Sequence, residues 1–119
     1  MDKINIEDIK FYERQRFITI PANPRGTSGK ERKRIDLSRL NRERILPGLS
    51  HFSGVIDGVF DRQISFWKLS KQKKLKNGEV LRIFLHLDTK QDALKAYAKF
   101  KINPTSLGGA VTPYKRHKR

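Results

Sequence analysis

The chain has 119 residues, enough for one domain with tails but hardly for two. It carries 27 Lys and Arg against 12 Asp and Glu, which gives a formal net charge of +15 at pH 7. Self-repulsion at such a charge opposes a compact state, so the composition indicates an anionic partner. The lack of cysteine excludes disulfides, thiolate zinc sites and cysteine nucleophiles.

Nucleic acid matches this charge better than a membrane surface does. No apolar run approaches the length that spans a bilayer, and no long helix sets bulky apolar residues opposite a basic face. The first residues lack the apolar stretch of a signal peptide, and they lack the acid-poor, Arg- and Ser-rich character of a transit peptide. We therefore expect an intracellular protein that is not secreted and that has no membrane partner.

Residues 1–50 are predicted to form an N-terminal extension. Phe17–Ile20 is predicted as a short strand that ends at Pro21, because proline has no backbone donor. The segment 21–34 holds two prolines, two glycines and no apolar periodicity. This composition predicts an extended basic arm.

A short helix is predicted over residues 36–46. Asp36 is a suitable N-cap, since its carboxylate can accept a bond from a free backbone N–H of the first turn. Leu37 and Leu40 would share one face of this helix, and Pro47-Gly48 would end it.

Residues 51–103 are predicted to form the folded domain. Three short strands are expected in it, over 58–60, 66–69 and 80–85. A lysine-rich loop over 71–78 would join the second strand to the third. It ends in Asn77-Gly78, a dipeptide favoured in tight hairpin turns because both residues tolerate positive φ.

A helix is predicted to begin at a cap formed by Asp88 or Thr89 and to stop at Asn103-Pro104. One face of it would pack on the sheet through Ala93, Tyr97 and Phe100. The expected fold class is therefore α+β: a three-stranded antiparallel sheet packed against one helix, with the extended arm before it and a basic tail over 104–119.

Short motifs in this second half share the pattern of one known family. The run Asp-Thr-Lys-Gln-Asp-Ala-Leu-Lys-Ala-Tyr occupies 88–97, and Arg-Ile-Phe-Leu occupies 82–85. Trp67 lies in the second expected strand, and Gly58-Val59, or Gly54-Val55 in a competing register, begins the first. Through these motifs roughly residues 52–103 resemble the Apetala-two (ethylene-response-factor) domain of plants, apicomplexan parasites and some phage proteins.

The resemblance implies that one face of a three-stranded sheet lies on nucleic acid, as that family's sheet lies in the DNA major groove. By position, the contacts would come from Arg62, Lys68 and Arg82. Strand alternation turns Arg82 away from its apolar neighbours, where its charge needs solvent or an anion. Trp67 is predicted to be a core residue rather than a stacking platform.

Further candidate contacts come from charge alone. The lysines of the predicted loop would reach phosphates rather than read bases, namely Lys71, Lys73, Lys74 and Lys76. The arm and the tail lack packing signals and are predicted to order only on binding. Their candidate residues are Arg25, Lys30, Arg32, Lys33 and Arg34 in the arm, and Lys115, Arg116, Lys118 and Arg119 in the tail.

Neither a catalytic centre nor a metal site is expected. The three histidines, His51, His86 and His117, are far apart and share no ligand spacing. Asp57 and Asp61 have no base placed beside them, and catalysis would need a positioned acid–base pair. We expect no enzyme, no cofactor and no small-molecule substrate.

Two nucleic acids remain as partners, and RNA is favoured. The usual base-reading arginine of the family is missing near the first strand, and the charge is spread over arm, body and tail, as expected for phosphate and shape contacts with folded RNA. We expect a non-catalytic, rRNA-binding ribosomal protein or a similar ribonucleoprotein component, with neighbouring proteins in the assembly. The alternatives are a sequence-specific duplex-DNA-binding protein, such as a transcription factor or phage accessory factor, and a basic protein that inhibits an acidic protein.

The expected cellular compartment depends on which ribonucleoprotein contains the protein. Because domains of this family occur in apicomplexan mitochondrial ribosomes, the resemblance implies the mitochondrial matrix if the particle is an organellar ribosome. Otherwise we expect a cytoplasmic or nuclear protein.

Overall fold

Two antiparallel sheets make up most of the protein, which we describe from a computed structural model in residues 3–12, 16–22, 31–56 and 62–113. The smaller sheet has the order β1-β2-β3. Its strands are β1 (Lys10–Tyr12), β2 (Phe17–Pro21) and β3 (Arg32–Asp36). It is built from the segment that sequence reasoning treated as an extension.

The larger sheet has five strands in sequence order, β4-β5-β6-β7-β8. Their bounds are β4 (Asn41–Leu46), β5 (Leu49–Ile56), β6 (Arg62–Lys74), β7 (Glu79–Leu87) and β8 (Ala110–Pro113). Every neighbouring pair is antiparallel. The helix α1 (Lys90–Ile102) and three 3₁₀ turns, Ile6–Asp8, Leu37–Arg39 and Pro104–Leu107, complete the described elements.

The long central strand β6 serves two separate cores, because successive side chains of a strand point to opposite faces. We call the face that carries Ile64 and Phe66 the front face, and the face that carries Trp67 and Leu69 the helix face. The small sheet packs on the front face and α1 packs on the helix face. Both faces of β6 therefore contribute side chains to a hydrophobic core.

Aromatic rings join the small sheet to the front face. Phe66 is fully buried and meets Phe52 at 5.2 Å and Phe11 at 5.0 Å between ring centroids. The inner side of the small sheet adds buried isoleucines, Ile18, Ile20 and Ile35. The two sheets therefore share one core.

The helix core is built as the sequence predicts. Thr89 is the N-cap of α1, and its hydroxyl oxygen accepts a bond from the Asp92 N–H at 3.1 Å. Phe100 and the small residues Ala93 and Ala96 are buried against the sheet. Trp67 is 8% exposed, so its predicted place in the core is confirmed.

The expected fold class is wrong. The protein is mostly β, with two sheets of three and five strands and one helix, rather than a three-stranded sheet on a helix. Most of the error arises before residue 57, where residues 32–36, 41–46 and 49–56 form strands that pair within the two sheets. The rest lies in the tail, where β8 adds a fifth strand to the larger sheet. The expected division at residue 50/51 falls inside β5, and the one at 103/104 falls between α1 and the last 3₁₀ turn.

The predicted helix over 36–46 is also wrong. Asp36 does cap a turn, since its carboxylate accepts the Ser38 N–H at 2.9 Å, but this turn ends at Arg39. Residues 41–46 then continue as β4. The leucine spacing that suggested a helix reflects a single 3₁₀ turn between two strands.

Three predicted irregular segments turn out to contain strand. In the tail predicted over 104–119, Ala110–Pro113 forms β8 and pairs with β7. The basic arm was expected to stay unpacked through residue 34, but Arg32 to Arg34 belong to β3 and pair with β2. The lysine-rich loop was expected over 71–78, but β6 runs through Lys74 and only the turn around Asn77-Gly78 remains. The neighbouring strands supply backbone partners that propensity does not show.

Other elements match the predictions. The strand at Phe17–Ile20 is confirmed, as are the strands at 66–69 and 80–85, which extend further in both directions. The strand predicted over 58–60 lies outside the described residues. In the described part of the chain, no helix is long and apolar enough to cross a membrane.

Candidate nucleic-acid interface

Beyond the small sheet, the front face carries a group of basic side chains that we call the basic face: Arg42, Arg44, Lys68, Lys74 and Arg82. Lys68 is paired with Ser50, and Ser50 is paired with Arg44. Paired residues of antiparallel strands lie on the same side of a sheet. Arg44 and Lys68 therefore stand in one row, about 10 Å apart at their Cα atoms, which is two strand spacings.

Arg82 and Phe84 extend the basic face along β7. Arg82 is paired with Gln72 and Phe84 with Ser70, which places both on the side of Lys68. Phe84 is 38% exposed and lies past the end of the pairing with β8, which stops at Arg82. The two residues are about 7 Å apart along the strand. An exposed ring beside a guanidinium on a flat sheet can stack on an unpaired base.

No acidic side chain lies on the basic face within the described residues. Strand alternation places Glu43 and Glu79 on the helix face. Arg44 and Arg82 are exposed and form no ion pair with another described residue. Like charges without neighbouring acids create a positive potential that attracts a polyanion.

His86 completes the row of Lys68 and lies at the edge of the small sheet. Its ring stacks on Phe11, with 3.7 Å between centroids and 11° between planes. Burial, and secondarily the charge of Lys68, lowers the pKa of His86 from its ordinary 6.5 to about 4. The imidazole is thus neutral at pH 7, and it fills a packing position rather than adding a charge to the basic face.

Lowering the pH below about 6.5 should reduce the free energy of unfolding because of His86. Between pH 6.5 and about 4 the unfolded chain takes up a proton that the folded protein does not. The full pKa difference corresponds to about 3 kcal/mol, and partial exposure of the ring reduces the expected loss to about 2 kcal/mol at pH 4. Urea unfolding at pH 7, 5.5 and 4 measures it. His86→Phe, which keeps the ring contact, should lack this component, whereas equal pH dependence in the two proteins would contradict the assignment.

Two of the predicted contact residues are engaged inside the protein. Arg62 is only 4% exposed, and its Nη1 donates to the Pro21 carbonyl at 2.6 Å. Arg32 donates from Nε to the Thr19 hydroxyl at 2.9 Å and from Nη2 to the Asp8 carbonyl. The Arg62 bond connects the two sheets and the Arg32 bonds hold the small sheet together, so we leave both out of the basic face.

Strand alternation divides the predicted lysine cluster. Lys74 lies on the basic face, but Lys71 and Lys73 are on the helix face. The Lys71 ammonium is 5.2 Å from the Tyr97 ring centroid and 5.4 Å from that of Phe100. Lys76 is in the turn before β7. The four lysines therefore do not form one phosphate-binding loop.

The arm and tail residues are only partly described. Arg34 lies with its guanidinium 4.1 Å from the Phe17 ring centroid, and Lys33 is exposed in the same strand. The remaining candidates lie outside the described residues: Arg25, Lys30, Lys115, Arg116, Lys118 and Arg119. Their roles stay predictions.

Sequence reasoning missed Arg42, Arg44 and Phe84 as candidates. The signal for the two arginines was present as alternation, since Arg42 and Arg44 are separated by one residue in Asn41–Leu46. The predicted helix obscured it, because residues two apart do not share a helix face. Phe84 was named only as part of the Arg-Ile-Phe-Leu motif; it is two residues from Arg82, so the alternation that turns Arg82 outward also applies to it, and its register with Ser70 agrees.

Comparison of the chain with protein-family models, with curated proteins and with solved structures finds no match. The proposed function therefore rests on the chemistry of the basic face. Among the described residues, no group of three His, Asp or Glu side chains is placed to hold a metal ion.

Proposed function

We propose that this chain is a non-catalytic RNA-binding component of a ribonucleoprotein such as a ribosome, and that it holds RNA on the basic face. The observation that carries the proposal is a surface without a described acidic side chain, on which Arg82 and Lys68 lie beside the exposed ring of Phe84 and Arg44 lies two strands beyond Lys68. Cations there would neutralise phosphates, and the ring would stack on a base.

The shape of this surface favours RNA with unpaired bases over duplex DNA. The row from Arg44 to His86 crosses four strands, about 14 Å between the outer two. The DNA major groove is about 12 Å wide and admits a helix or a two-stranded ribbon. A four-strand row is too broad to enter it, whereas loops and bulges of RNA can spread their bases over an open sheet.

Titration of the full chain with three ligands tests the function: a single-stranded RNA, a structured RNA and a DNA duplex of equal length, each over a range of salt. We expect both RNAs to bind more tightly than the duplex. The logarithm of affinity should fall with the logarithm of salt concentration at a slope of about −3 for four contacted phosphates.

Three results would overturn this proposal. Failure to bind any polynucleotide at low salt would remove it entirely. Discrimination between DNA sequences at moderate salt would favour the duplex-DNA alternative. Capture of an acidic protein without nucleic acid would favour the role of an inhibitor.

Phe84→Ala should weaken RNA binding while the protein stays folded. Loss of one base-stacking ring costs about 1–2 kcal/mol, so the affinity for single-stranded RNA should fall about 10-fold. The ring is 38% exposed, so the free energy of unfolding should fall by only about 1 kcal/mol. Fluorescence anisotropy and urea unfolding measure the two effects, and unchanged RNA affinity would show that the ring does not contact bases.

A further inference from the structure

A cavity of about 600 Å³ opens at one side of the basic face. It lies where the 3₁₀ turn Leu37–Arg39 passes in front of β4, β5 and β6. Its volume is in the range of about 300–1,000 Å³ that is usual for small-molecule sites. The basic face is therefore interrupted by a recess.

The floor of the recess is apolar. Leu37 and Leu40 come from the connection between the sheets, and Phe52 comes from β5. Leu40 is held close to the sheet at Gly54, where an added Cβ would stand 2.7 Å from Leu40 Cδ2. This close approach fixes the apolar wall, so the recess is part of the packed fold.

The rim of the recess is cationic. Arg42, Arg44 and Lys68 line it from the sheet, and Arg16 lines it from the small sheet's side. The Arg42 guanidinium is 5.9 Å from the Phe52 ring centroid, so it lies at the boundary between rim and floor. No carboxylate lines the cavity among the described residues.

Serine hydroxyl groups also line the cavity. Ser50 is 7% exposed and contributes to the cavity wall in the same row as Arg44 and Lys68. The two acids next to lining residues along the chain do not line the cavity: the Asp36 carboxylate accepts the Ser38 N–H at 2.9 Å, and Glu43 lies on the helix face. The wall thus offers an apolar surface, hydroxyl groups and positive charge.

We propose that this cavity holds one nucleoside monophosphate unit, with the base against Leu40 and Phe52 and the phosphate at Arg44 and Lys68. The inference rests on the proposed function, because the unit would be one nucleotide of the RNA strand on the basic face. A nucleotide combines a flat base with polar edges and an anionic phosphate, and these groups match the apolar, hydroxyl and cationic side chains that line the cavity. Single-stranded RNA can turn one base out at small cost, since it need not break a pair.

The first test uses the unaltered protein and NMR amide shifts. Adenosine or uridine 5′-monophosphate at millimolar concentration should shift the amides of Leu40 and Phe52, while inorganic phosphate should shift only those near the rim, including Ser50 between Arg44 and Lys68. Free nucleotide that shifts no amide of the cavity floor, or shifts only those around Phe84, would overturn the proposal. This measurement does not depend on RNA binding elsewhere.

The second test fills the cavity without changing charge. Ser50→Trp places an indole in the recess, and Ser53→Trp makes the same change in the same strand on the opposite face. Each protein is titrated with a single-stranded RNA and with an abasic strand of equal length, after thermal unfolding has shown that it is folded.

We expect Ser50→Trp to weaken binding of the base-containing strand about 10-fold and to leave the abasic strand within about twofold. Ser53→Trp should leave both unchanged. Equal affinities for Ser50→Trp and the unaltered protein would overturn the cavity assignment and leave RNA binding standing. If the unaltered protein binds neither strand, the proposed function fails, and the mononucleotide shifts then decide on the cavity alone.

Discussion

Replacing Arg44 and Arg82 together with glutamate should lower the affinity for single-stranded RNA at least 100-fold at low salt. Both guanidinium groups are exposed on the basic face without an ion-pair partner among the described residues. Each substitution removes a cation and places a carboxylate beside phosphates, where like-charge contact is costly. The slope of log affinity against log salt should also become shallower by about 1.4, for two lost phosphate contacts.

A matched control separates position from total charge. Lys95→Glu with Lys99→Glu changes the net charge by the same amount, and both lysines are exposed on α1, on the other side of the large sheet. If the basic face binds RNA, this control should lose less than about 10-fold, since only the long-range field of the protein changes. Equal losses for the two proteins would show that RNA is held by charge in general and would contradict the assignment of a face.

The second half of the chain could be predicted because its elements carry local signals. Thr89 caps α1, Asn103 ends it, and Asn77-Gly78 turns β6 into β7. These signals depend on a few neighbouring residues, so they can be recognised without knowing how the rest of the chain folds. For the same reason, the outward direction of Arg82 followed from alternation alone.

The first half could not be predicted because its strands depend on distant partners. Residues 32–34 are charged, and nothing local marks them as a strand; their backbone groups are satisfied by β2. In β4 the side chains of Asn41 to Arg44 are all exposed, so no apolar alternation shows. An edge strand of this kind is defined by its neighbour, here β5.

The candidate site was predicted in composition but not in position. A basic surface followed from the net charge, yet which cations share it depends on register. Lys68 and Lys74 fall on one side of β6 and Lys71 and Lys73 on the other. The role of Arg62 could not be predicted either. Its hydrogen bond to the Pro21 carbonyl joins residues 41 positions apart, and no local pattern indicates such a contact.

Among the changes proposed for this protein, Phe66→Ala should cause the largest decrease in the free energy of unfolding. Phe66 is fully buried in β6, and its ring contacts those of Phe11, Phe52 and His86. Removing a buried phenyl ring costs about 3–5 kcal/mol through lost burial and the cavity left behind. A domain of this size is stable by about 5–15 kcal/mol, so the loss is a large part of the total. Urea unfolding followed by fluorescence of the single tryptophan measures it.

Phe84→Ala is the matched control, since it makes the same change on the same face one strand away, with an expected loss of about 1 kcal/mol. The two variants should also differ in what they do to RNA binding. Phe84→Ala would remove the proposed contact with a base, whereas Phe66→Ala would loosen the packing that holds the small sheet, and with it the Leu37–Arg39 turn, over the front face. If Phe66→Ala costs no more stability than Phe84→Ala, the two sheets do not share a core, and the cavity wall formed by Leu37 and Leu40 would lose its support.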